Sequence, residues 1–180
     1  MFNILFFGTF VPVQGTKHMV EAAKLLEHEE VRFLFAGDGQ EQSQAVALAK
    51  QLDLRNVVFC GMLDRERLRE EIAKADVVLG NVGDTPLSPL VISNKVFEAL
   101  AMGKAVVTAD MPANRELFGD EDVLMVPVAN PEALAAAILK LKNDPVLRER
   151  VASRGHKKFL HTATPSVLGN ELKQIIQELL

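Results

Sequence analysis

The sequence predicts an α/β fold built on a parallel six-stranded sheet, with helices on both faces and further helices appended at the C-terminus. Three observations predict it. Short runs rich in Val, Ile and Phe recur along the chain, and they are continuously apolar rather than alternating. Such runs mark strands buried on both faces, as parallel sheets require. Between them lie longer segments of helical period, and strand–helix repetition implies right-handed crossovers. Finally, 180 residues at 48% apolar composition suit one domain, or one domain plus an appended helix, with a core that needs no staples.

The strands are expected at 4–7, 31–36, 57–60, 77–79, 105–108 and 123–126. The first, Ile4-Leu5-Phe6-Phe7, opens an apolar N-terminus with no basic leader and no cleavage site, so it reads as a buried strand and not a signal peptide. Helices are expected at 17–27, 40–52, 65–74, 95–101 and 131–141. In the first helix Met19, Ala22, Ala23 and Leu26 share one stripe. Pro145 and Pro165 can each open a further helix at its first turn. In the last helix Leu168, Leu172, Ile175, Ile176 and Leu179 recur at helical spacing and can pack on this domain or on another. The chain divides into a main unit over 1–160 and a terminal helix over 161–180.

Composition excludes several classes. The net charge of −4, with both signs interspersed, offers no clustered basic face for nucleic acid. Cys60 is the sole cysteine, so neither a disulfide framework nor a thiolate metal cluster can form. It ends a strand and reads as a small buried apolar group. No apolar run approaches the ~20 residues a membrane-spanning helix needs.

Parallel sheets bind ligands at the carboxyl ends of their strands, near helix N-termini, which directs attention to the segments after Phe7, Ala36, Cys60, Leu79 and Thr108. After the first strand comes Gly8-Thr9-Phe10-Val11-Pro12-Val13-Gln14-Gly15 and then a helix. Glycines at both ends permit close backbone approach, and unpaired N–H groups at the helix start suit a phosphate. This is neither a Walker A motif nor a GxGxxG fingerprint. Asp38, within Gly37-Asp38-Gly39, reads as a turn residue. The most informative segment is Ser93-Asn94-Lys95-Val96-Phe97-Glu98, which follows a long irregular loop over 80–92. Ser93 is placed to cap the helix. Lys95 and Glu98, three positions apart, share one helix face. A lysine at a helix start suits a diphosphate, and a glutamate one turn on can accept two hydrogen bonds from a ribose diol.

The chain resembles the C-terminal domain of the GT-B glycosyltransferases, glycosyltransferase family 4 in particular. The resemblance rests on the glycine loop with Pro12 and Gly15, Gly37-Asp38-Gly39, Val58-Phe59-Cys60-Gly61 and Ala75-Asp76-Val77-Val78-Leu79. It continues through Glu98-Ala99-Leu100-Ala101-Met102-Gly103-Lys104-Ala105-Val106-Val107 and the alanine-rich helix around 133–141. It implies a Rossmann-like domain that binds a nucleoside-diphosphate sugar as substrate. The acceptor is held by a missing N-terminal domain or partner chain. A hexosyl group is transferred with retention, with no cofactor and no essential metal. It also implies a cytoplasmic protein, with any approach to the inner face of a membrane made through the missing domain. By position, Gly8 and Gly15 match the loop against the diphosphate, Glu98 the ribose-binding glutamate, and the backbone of Gly61, Met62 and Leu63 the region beside the base. The family often carries arginine after the first loop glycine and lysine before the second, where this chain has Thr9 and Gln14. Its first glutamate, eight positions before the second, falls on Leu90. Lys95 restores one positive charge. The expected substrate-binding set is therefore Gly8, Thr9, Gln14, Gly15, Met62, Lys95 and Glu98. The departures support an alternative, a non-catalytic scaffolding partner of a split or inactive transferase. A nucleotide-sugar epimerase of the same two-domain fold is a third reading.

Asp120-Glu121-Asp122 superficially matches a metal-binding DxD triad but follows Gly119 and precedes a strand, so it reads as a solvated acidic turn. His18, His28, His156 and His161 show no metal-ligand spacing.

Overall fold

The structure is a computed structural model and describes residues 1–179. Six strands form one wholly parallel sheet: β1 (Phe2–Phe7), β2 (Val31–Ala36), β3 (Val57–Gly61), β4 (Val77–Leu79), β5 (Ala105–Ala109) and β6 (Leu124–Val126). Their spatial order is β3-β2-β1-β4-β5-β6. The helices are α1 (Thr16–Leu25), α2 (Gln42–Gln51), α3 (Arg65–Lys74), α4 (Asn94–Ala101), α5 (Pro112–Leu117), α6 (Pro131–Asn143), α7 (Pro145–Thr162) and α8 (Pro165–Leu179). The short α5 and the single 3-10 turns at Pro12–Gln14 and Ser88–Leu90 are additions to the elements expected from sequence.

The unbroken apolarity of the strands has a direct cause. Successive side chains of β1 enter different layers: Ile4 and Phe6 join one core, Leu5 and Phe7 the other. The first core packs α1 and α6 through Met19, Ala22, Ala23, Leu134 and Ile138. The second packs α3 and α4 through Ile72, Val96, Ala99 and Leu100. Burying a Leu, Ile or Phe contributes roughly 1.5–3 kcal/mol, so a polar residue within β1 would damage whichever layer it entered.

The expectation for Cys60 is corrected here: the residue is exposed. β3 is an edge strand, and its residues alternate between half-buried and exposed, with Val58 37% exposed. The Cys60 Sγ nevertheless lies 3.5 Å from the Phe35 carbonyl, and partial burial pushes the thiol above its ordinary value. The last helix forms as its stripe requires, yet buries nothing. Leu168, Leu172, Ile175 and Ile176 are all about half exposed. Among the described residues no helix is long and apolar enough to cross a membrane.

Candidate functional site

The strand order reverses direction between β1 and β4, and the loops leaving those two neighbours diverge to opposite faces of the sheet. That divergence opens a crevice at their carboxyl ends. It is a cleft of about 670 Å³, walled by Phe7, Gly8, Thr9, Val11 and Gln14 after β1, by Leu68 of α3, and by Ile92, Ser93, Asn94, Lys95 and Glu98 at the start of α4.

The β1 loop is fastened on both flanks. Gly8 N donates to the Ala36 carbonyl at 2.9 Å and Phe10 N to the Asp38 carbonyl at 2.9 Å, tying the loop to the end of β2. On the other flank Val82 N donates to Gln14 O at 3.1 Å and Gly83 N to Val13 O at 3.3 Å. Gly15 has φ +70°, and a Cβ there would lie 2.5 Å from Gly83 N. Only glycine allows the two loops to touch backbone to backbone. Asp38 is the turn residue its context predicts: its Oδ1 accepts from Gly39 N at 2.7 Å.

α4 supplies the charged side chains. Val96, Ala99 and Leu100 anchor it in the second core. Side chains of a first helical turn lean toward the N-terminus, which sends Lys95 over the helix start. Lys95 is only 5% exposed. Its Nζ donates to Gln14 Oε1 and sits 5.0 Å from the centre of the Phe6 ring. Its Cε defines the space left by Gly8, where a Cβ would approach to 3.3 Å. Burial lowers the Lys95 amine to about 8, and the nearby Glu98 charge partly opposes that shift. Glu98 itself is exposed at the cleft wall. Ser93 occupies the N-cap position with extended backbone, but its hydroxyl makes no cap bond. That shielded Oγ has no hydrogen-bond partner.

The cleft therefore gathers Gly8, Thr9, Gln14, Lys95 and Glu98. Gly15 and Met62 lie outside its walls. Gly15 faces Gly83, and Met62 is 73% exposed beyond the end of β3. Ser93 and Asn94 line the cleft without having been singled out as ligands by sequence, although their place at a helix start was the available signal. Leu68 had none. A second hollow of about 690 Å³ opens at the amino ends of β1, β2 and β3. Glu27, Glu29 and Glu30 mix there with Arg32, Arg55 and Met1, so it offers no clustered basic face.

The acidic turn is committed to its own neighbours. Asp120 pairs with Arg115, Glu121 with Arg154 at 3.0 Å, and Asp122 Oδ2 accepts from Gly119 N at 3.0 Å. Among the described residues no group of three or more His, Cys, Asp or Glu could hold a metal ion.

The profile described as "Glycosyl transferases group 1" matches residues 2–158. A lipopolysaccharide core biosynthesis glycosyltransferase of Rhizobium meliloti, LpsD, is 31% identical over 156 residues, covering 86% of this chain and 43% of LpsD. A phosphatidyl-myo-inositol mannosyltransferase of Mycobacterium tuberculosis is 32% identical over 167 residues, covering 86% of this chain and 41% of the relative. Among solved structures, Anabaena HepE in complex with UDP superposes with a TM-score of 0.86 at 20% identity, over 98% of this chain and 49% of HepE. The C-terminal domain of the group 1 transferase LpcC from Francisella tularensis gives 0.77 at 21% identity, over 91% of this chain and 87% of that domain. The chain thus spans less than half the length of these curated relatives.

Proposed function

The chain belongs to the group 1 glycosyl transferases and has the Rossmann-like fold of the C-terminal half of a GT-B enzyme. From that premise we propose that it is the donor-binding domain of a retaining hexosyltransferase. The observation that carries the reading is the side-chain-uncapped start of α4, with buried Lys95 aimed across it and Glu98 one turn on, inside the cleft between β1 and β4.

In this reading the diphosphate of a nucleotide sugar lies against Gly8, Thr9 and the first N–H groups of α4. Those groups carry the positive end of the helix dipole. Lys95 supplies the one full positive charge on the cleft walls. The exposed Glu98 carboxylate accepts both hydroxyls of the ribose. As the bond between the anomeric carbon and the diphosphate breaks, negative charge accumulates on the leaving phosphate. Preorganised donors that strengthen with that charge lower the barrier. The charge is met by protein groups alone, with no essential metal and no cofactor. The acceptor, and the cytoplasmic or membrane-face setting of the reaction, belong to a second half of comparable size. In this reading residues 1–160 are the binding unit; α7 runs two residues past that boundary, to Thr162, and the appended helix is α8, Pro165–Leu179. The UDP named in the HepE structure supports a nucleoside-diphosphate donor of this kind.

A specific observation favours a second reading, a scaffolding half that binds no donor. Thr9 and Gln14 are uncharged, and Leu90 is an exposed apolar residue, 74% open to solvent. Calorimetric titration with UDP, GDP and ADP separates the two. Millimolar affinity, about −4 kcal/mol, for one nucleotide and its loss in Glu98→Ala is the donor-domain result. No binding to any of the three is the scaffolding result.

A further inference from the structure

Lys95 is an unusual cation for an anion site, because among the described residues no carboxylate pairs with its buried amine. Its polar partner is the neutral amide of Gln14. The Phe6 ring covers it, and Gly8 packs against its Cε. The β1 loop brings Thr9 and Gln14 and the segment entering α4 brings Ile92 and Ser93, none of them ionisable. α3 contributes Leu68. Among the described residues the one charged group acting on the amine is Glu98 of its own helix, which forms no direct pair with it.

We infer that occupation of this cleft by a nucleoside diphosphate is coupled to uptake of one proton by Lys95, and that Gln14 is the positioning residue that holds the amine aimed until a phosphate oxygen replaces it. This deepens the donor-domain reading and rests on it. The chemistry is simple. A shielded amine with no anion beside it holds its proton weakly, and burial accordingly brings Lys95 down to about 8. A phosphate oxygen placed within hydrogen-bond reach favours the ammonium form and draws a proton from solvent onto Nζ. Gln14 suits the waiting state because an amide oxygen accepts from an amine or an ammonium alike. A carboxylate there would charge Lys95 in advance and then compete with the phosphate. The phosphate itself does not confuse the accounting, since its last ionisation lies near pH ~6.

The linkage has a definite sign. Below the free amine's value of about 8 the site is already charged and affinity is flat. Above it affinity falls, by up to about tenfold per pH unit, until the raised value of the occupied state is reached.

The test is calorimetry of whichever of UDP, GDP or ADP binds, at pH 8 to 9, in HEPES and in Tris, whose ionisation enthalpies differ. The expected result is an apparent enthalpy that changes with buffer, corresponding to about half a proton or more taken up. In Lys95→Arg the uptake should vanish and the affinity become level across this range, because guanidinium stays charged. In Gln14→Glu the uptake should also vanish, with weaker binding. The Lys95 side-chain NMR signals should titrate near pH 8 in the free protein and move upward on addition of nucleotide. Binding by the wild-type protein with no buffer dependence overturns the inference and leaves the donor-domain reading standing. So does unchanged uptake in Lys95→Arg. Absence of binding to all three nucleotides overturns both.

Discussion

Helices of this domain begin in two different ways. α3, α6 and α7 are finished locally. The Asp64 carboxylate accepts from Arg67 N, the Asn130 amide oxygen from Ala133 N and the Asp144 carboxylate from Leu147 N, each at 2.8 Å. α4 starts from Ser93, a residue fully able to cap, whose hydroxyl makes no such bond. α1 starts from Gly15, which has no side chain to offer. The capped helices need only to stop fraying. The start of α4 opens on the cleft; Val96 N already donates to the Ser93 carbonyl at 2.9 Å, while the N–H groups of Asn94 and Lys95 keep their capacity for an anion. The difference teaches where to look for a ligand: at the helix start that a suitable residue leaves unfinished.

The largest effect that could break this contrast is at Lys95. Lys95→Met should abolish nucleotide binding in calorimetry while raising stability to denaturant at neutral pH. The sign follows from the folded-state amine lying at about 8 against an ordinary value of 10.5. The unfolded chain binds that proton first as pH falls from 10.5 to 8, so wild-type stability declines through this window and stays reduced below it. The gain on substitution is on the order of 3 kcal/mol at neutral pH and absent above pH 10.5. A destabilised Lys95→Met would mean that the lysine serves packing and not binding.

Next in size is Glu98→Ala. Loss of hydrogen bonds to a charged acceptor, worth about 1.5–3 kcal/mol, should weaken nucleotide binding some tenfold to a hundredfold. The exposed position should leave unfolding unchanged within about 0.5 kcal/mol. Asp64→Ala, Asn130→Ala and Asp144→Ala should each cost about 1 kcal/mol in denaturant unfolding with no change in nucleotide affinity. Ser93→Ala should be the mildest in stability, under about 0.5 kcal/mol, because no cap bond is lost. A cost equal to that of Asp144→Ala would erase the distinction between the two kinds of helix start.

Sequence reading recovered the sheet because a strand covered on both faces has no alternative but continuous apolarity; β2 falls on 31–36 as expected. It did not recover what depends on position within the sheet. Val58 and Cys60 look as apolar as Val78 or Val106, and only the strand order puts them at an edge. The stripe of α8 specifies a helix but not what covers it. At the site, Gly8, Lys95 and Glu98 were legible from their place after strands and at a helix start. The contact of Lys95 with Gln14, across 81 positions, was not. Neither was the reason for Gly15, since no local pattern points from it to Gly83.

The join between those two loops governs which parts of the domain can change in length. With Val13, Gln14 and Gly15 laid directly on Val82 and Gly83, an inserted residue on either side would lift the backbones apart and carry the cleft floor with it. Past that seam the chain over 84–91 is mostly exposed, apart from Ser88, which closes its own small turn with Thr85. Diversification by insertion should therefore be barred at the seam and concentrated just beyond it, so that descendants of this domain could grow differently shaped lips around an unchanged cleft floor.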